Sequence, residues 1–171
     1  DEVEKVLREI EKLIKEIREI NKRINDRIEE LIRRLRERVK KVSRESEELI
    51  RDLRRDGKEE LVKEVLKRSE DLARRVKEEV KRVLEEVREL VERSVRIAEE
   101  VLREVRELVR KKLKDERKAR EIIKRVEKVL EEVRRSLETS EKRVRDALRE
   151  IEERLKENKR RVREVLEEIR K

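Results

Sequence analysis

An all-α fold, an antiparallel up-down-up three-helix bundle of long, nearly straight helices, is predicted by three features of this 171-residue chain. Its composition is dominated by Glu, Lys, Arg, Leu, Val and Ile, with a single glycine and no proline or aromatic residue; that is the profile of long helices. Its apolar residues recur at spacings of three and four. Its two breaks, near Asp56 and near Asp115, divide it into thirds. Because 60% of the residues are charged, disorder is the competing expectation for such a composition. The periodicity decides for helix, because a continuous apolar stripe gives each segment a face to bury.

The first segment, about residues 2–55, carries Val3, Leu7, Ile10, Ile14, Ile17, Ile24, Ile28, Leu31 and Leu35, and then Val39, Val42, Leu49 and Leu53. Its columns also align every 18 residues, as in Ile14, Ile32 and Ile50 or Ile17, Leu35 and Leu53. Eighteen residues over five turns is about 3.6 per turn, the period of a straight helix, whereas a strict heptad would impose left-handed supercoiling. It ends at RRDGK, where Gly57 is expected to take the left-handed conformation that terminates many helices.

The second segment, about residues 59–113, follows the same ruler through Val65, Val83 and Val101 and through Leu72, Leu90 and Leu108. It has 22 apolar residues, counting Ala, against 18 in the first segment and 17 in the third, and so the widest stripe, including Val95 and Ile97. Its end is less sharply marked. KKLKDERKAR has neither Gly nor Pro, and the apolar phase nearly carries through it. Asp115 is the expected N-cap of the third segment, with bases before it suited to a helix C-terminus.

The third segment, about residues 116–170, repeats Val126, Val144 and Val162, and Leu130, Leu148 and Leu166. Acids open the segments and bases close them, as the helix dipole favours. Each segment is roughly 80 Å long at the helical rise per residue. Short connections make sequential neighbours antiparallel, so residues 1–171 form one bundle.

Several polar residues fall on the core columns. Pairing Leu53 with Val62 makes facing residues of the first two segments sum to 115, and matching Leu53 to Ile169 offsets the first and third by 116. On that register the interior polar residues gather into two layers. One holds Asn21, Asn25, Ser94 and Ser140, with Thr139 grouped beside it; the other holds Ser43, Ser46, Ser69 and Asn158. Ser136 shares a column with Lys118 and Arg154, and Thr139 one with Glu121 and Glu157, so both columns lie at the boundary or outside, and Ser136 is expected on the surface. An unpartnered buried amide or hydroxyl costs on the order of 1–3 kcal/mol, so gathering lets these groups satisfy one another. Such a network specifies register, because slipped helices leave its members unpaired.

Chemistry is bounded by absences. With no Cys and no His, thiolate chemistry, zinc-thiolate sites and the commonest general base are excluded. Paired carboxylates such as Glu85 and Glu86 lie off the apolar columns, and no interior carboxylate set for a di-metal site can be assembled. No enzyme activity, cofactor, metal or small-molecule ligand is expected. Apolar runs never exceed two residues, which gives neither a membrane span nor a signal-peptide core. A soluble chain without a targeting signal is expected, and no compartment is readable.

The net charge of +9 invites nucleic acid or anionic membrane as partners. The most basic stretches are RRLRERVKK (33–41), VRKKLKDERKAR (109–120) and KRRVR (159–163), yet acids interleave the bases almost everywhere. They read as solvated faces and helix ends. Neither partner is expected; nor is any partner required, and a monomer is expected, with self-association or capture of a partner helix as the alternative.

Text such as KRVLEEVRELVER (81–93) and REVLEEIRK (163–171), the 18-residue ruler, the equal segments and the two polar layers resemble de novo designed helical bundles with buried hydrogen-bond networks, built on parametric coiled-coil backbones. The resemblance covers the whole chain. It implies a stable scaffold with no evolved activity, whose core polar residues set helix register and pairing. The second connection departs from the pattern, since it lacks the Gly of many designed loops.

Overall fold

The computed structural model describes residues 2–171. Three helices account for nearly all of them: α1 (Glu2–Arg55), α2 (Glu59–Lys112) and α3 (Glu116–Arg170). Each helix contacts the other two, and no strand is present among the described residues. This is the all-α three-helix bundle the periodicity predicts. The end residues follow the dipole rule, with Glu2 and Glu4 or Glu59 and Glu60 in first turns, and Arg54 and Arg55 or Arg110, Lys111 and Lys112 in last turns.

The two connections are built differently. At the first, Asp56 N–H still donates to the Asp52 carbonyl, and Lys58 N–H turns back onto the Asp56 carbonyl at 2.6 Å. Gly57 does not take the left-handed conformation expected of it; no described residue has positive φ. Its close neighbour is the end of α3: a Cβ at position 57 would lie 3.2 Å from Ile169 Cγ2, so the Ile169 side chain would have to give by a few tenths of an ångström to admit one.

At the second connection, Leu113 N–H still makes the helical bond to the Val109 carbonyl. Asp115 Oδ1 accepts from Arg117 N–H at 3.1 Å and the Asp115 carbonyl accepts from Ala119 N–H. That is an N-cap, satisfying donors that a helix start leaves free.

The bundle divides into two units: residues up to Ile28 with Glu86–Lys142, and Glu29–Glu85 with Arg143–Lys171. The first unit buries Val6, Ile10, Ile17, Ile24 and Ile28 of α1, Val87, Val105 and Val109 of α2, and Val126, Val133 and Leu137 of α3. The second buries Leu35, Val39 and Leu53 of α1, Val65 and Val76 of α2, and Val144, Ile151 and Val162 of α3. Near the first connection, Leu49, Ile50, Leu53, Val62, Val65, Val162, Val165 and Leu166 form one apolar cluster. Aliphatic side chains with defined rotamers fill both units, which favours a single packing.

Candidate functional site

The chemistry-bearing residues of the interior are amides and hydroxyls. In the first unit, Asn25 on α1 is half-buried and uses both ends of its carboxamide on α3. Its Nδ2 donates to Ser136 Oγ at 2.7 Å, and its Oδ1 accepts from Ser140 Oγ at 2.6 Å. Ser136 and Ser140 are one helical turn apart, matching the reach of a planar amide with donor and acceptor at opposite corners. Ser136, expected outside, therefore belongs to the site. Its column borders the α1–α3 seam, and the four-residue spacing to Ser140 was the pattern that could have revealed it.

In the second unit, Asn158 Nδ2 on α3 donates to Ser43 Oγ on α1 at 3.1 Å. The sequence separation is 115, the same as for Asn25 and Ser140. Position 43 is 25 + 18 and position 158 is 140 + 18, so the two pairs occupy equivalent places on the ruler. The residue types are exchanged: α1 supplies the amide in one unit and the hydroxyl in the other.

The remaining members of the expected layers are placed differently. Ser94 and Ser46 are 1% and 5% exposed, and Ser69 is half-buried. Asn21 is half-buried, and its buried Oδ1 has no hydrogen-bond partner; the expected facing of Asn21 and Ser94 yields no bond to that oxygen. Thr139 is exposed and donates to the carbonyl of Arg135 in its own helix at 3.0 Å. It lies outside the layer because its column carries Glu121 and Glu157, and its hydroxyl is satisfied by the preceding turn.

Ion pairs flank the same seam. Glu11, Glu29 and Glu47 of α1 pair with Arg125, Arg143 and Arg161 of α3, while Arg18 and Arg36 of α1 pair with Glu132 and Glu150 at 3.7 and 3.5 Å. Each pair is separated by 114 residues and each set recurs every 18. These pairs are solvent-exposed, so each contributes roughly 0–1 kcal/mol. Their value is alignment, since both polarities recur at one offset. Between α1 and α2, Arg27 pairs with Glu86 at 2.9 Å in the first unit, and Arg38 with Glu79 at 3.4 Å in the second. Their sums, 113 and 117, bracket the expected 115. Arg38 Nε is buried without an aligned hydrogen bond.

Among the described residues no cluster of three carboxylates could hold a metal ion, and no helix is long and apolar enough to cross a membrane. Comparison of the chain with protein-family models, with curated proteins and with solved structures returns no match.

Proposed function

We propose that the protein is a designed structural scaffold with no natural biochemical activity, whose interior Asn and Ser residues specify the register and pairing of its helices. The reading is carried by one observation: the Asn25–Ser140 and Ser43–Asn158 pairs share a separation of 115 and exchange amide for hydroxyl. Each bond forms only when α1 and α3 are aligned, and misalignment strands a desolvated polar group. The composition supports the reading, since Cys, His and aromatic residues are absent.

The test replaces Asn25, Ser136, Ser140, Ser43 and Asn158 together with Val or Ala, with spin labels on exposed α1 and α3 positions reporting separation. The scaffold reading expects a folded bundle with a broadened α1–α3 distance distribution. An unchanged narrow distribution would show that apolar packing alone sets the register.

A second reading, an interaction module that presents a helix face, is favoured by Val95 of α2, an aliphatic residue left 43% exposed. A concentration-independent monomer mass for the wild type and for Val95→Lys would remove it.

A further inference from the structure

The segment joining α2 to α3 is three residues long, Leu113–Asp115, and the Asp115 cap is what marks it as a turn. It contains no Gly or Pro and no residue with positive φ. Helical bonds reach it from both sides, at Leu113 N–H and at Ala119 N–H. Only the few amides between them would have to change partner for α2 and α3 to become one helix. The apolar phase nearly carries through. At 100° per residue the partly buried Ile123 and Leu130 continue the stripe of Val87, Val101 and Val105, while the buried Val126, Val133 and Val144 lie roughly 60° to one side, a shift the joined helix must absorb.

We propose that a second copy of this chain is the partner this hinge selects. Leu113–Asp115 straightens, and two chains exchange α3, each docking its α3 on the other's α1 and α2. Exchange preserves the contacts α3 makes with the other two helices away from the hinge, including the Asn25 bonds to Ser136 and Ser140 and the five α1–α3 ion pairs.

The joined helices also complement each other where they cross. Arg106 pairs with Glu127 at 3.6 Å, so facing residues of α2 and α3 sum to 233. In an exchanged pair that sum puts the two-fold axis between Glu116 and Arg117. Glu116 then faces the second copy's Arg117, at nearly the helix angles of the Glu127–Arg106 pair, and the pairing occurs twice by symmetry. Two exposed charges at the start of α3 in one chain become a cross-chain pair in two. The first connection offers no such route, since it closes through Gly57 packed against Ile169.

The test is refolding of the full chain at high and at low concentration, followed by light scattering on the separated species. Refolding at high concentration is expected to give a dimer that returns to monomer only slowly after dilution. Glu116→Pro discriminates, because proline suits the first turn of a helix but breaks a helix interior. It leaves the closed monomer intact and lowers the dimerisation constant by at least about a thousandfold, since both helices of the dimer carry it. Asp115→Ala removes the cap and raises the dimer fraction, by about tenfold in the constant. Two glycines inserted between Lys114 and Asp115 lengthen the hinge and suppress the dimer without relying on proline. Absence of any dimer at high concentration overturns the proposal. So does a dimer that Glu116→Pro and the glycine insertion leave undiminished, the signature of face-to-face association.

Discussion

Ser140 donates its hydroxyl hydrogen to Asn25 Oδ1 across 2.6 Å, while the opposite corner of the same amide donates to Ser136. One side chain of α1 is held by two successive turns of α3, so the bond is sensitive to displacement along the helix axis. That sensitivity should be measurable as coupling. In a double-mutant cycle of Asn25→Ala and Ser140→Ala, denaturant unfolding should give an interaction energy of roughly 0.5–3 kcal/mol. A cycle pairing Asn25→Ala with Thr139→Ala should give none, because Thr139 bonds only to its own helix.

Asn21 should behave in the opposite way to Asn25. Its Oδ1 is buried without a partner, so Asn21→Leu removes an unsatisfied acceptor and adds apolar volume. Stability by guanidinium unfolding should rise by roughly 1 kcal/mol. Asn25→Leu should lower it by a similar amount, because it deprives two serines of their partner.

Gly57→Ala distinguishes the two reasons a chain can need glycine. Were the residue left-handed, alanine would destabilise by straining the backbone. Its φ is not positive, and the neighbour a methyl would press is Ile169, a half-buried side chain in the last turn of α3. That side chain can give by a few tenths of an ångström. Gly57→Ala should therefore stabilise by up to about 1 kcal/mol through the unfolded state, read from the thermal midpoint.

The exposed Arg–Glu pairs should matter little to stability. Arg125→Gln, Arg143→Gln and Arg161→Gln combined should cost no more than about 1–3 kcal/mol at low salt, and the cost should shrink in 1 M salt, where screening acts over about 3 Å. Leu53→Ala, at a position with 0% exposure, should alone cost about 2–5 kcal/mol. Unfolding at two salt concentrations compares the two directly.

Much of this architecture was legible because a helix writes its buried face into the sequence at fixed spacing. Ile14, Ile32 and Ile50 share a column and are all buried. The α1–α3 offset was legible to within two residues, 116 expected against the 115 of the polar bonds and the 114 of the ion pairs. Smaller-scale features were not. Ser136 shares its column with Lys118 and Arg154, so its neighbours disguised it, and only the reach of the Asn25 amide reveals it. Asn21 sits on a core column, yet column membership does not carry the rotamer that decides whether Oδ1 finds a donor. Gly57 looked like a conformational terminator because glycine usually is one there, and the approach of Ile169 is a tertiary fact that local sequence does not contain.

The exchange of amide and hydroxyl between Asn25–Ser140 and Ser43–Asn158 bears on an ambiguity the rest of the seam leaves open. Over the stretch that still overlapped, Arg–Glu pairs and aliphatic columns that recur every 18 residues would meet the same partner types if α3 were displaced along α1 by one whole repeat. Such a displacement would set Asn158 against Asn25 in one direction, crowding two amides into space shaped for one, and Ser140 against Ser43 in the other, leaving a void. A periodic scale can be misread by one division unless some divisions are marked. Here the marks are five side chains, and the aliphatic residues around them measure distance without saying where it starts.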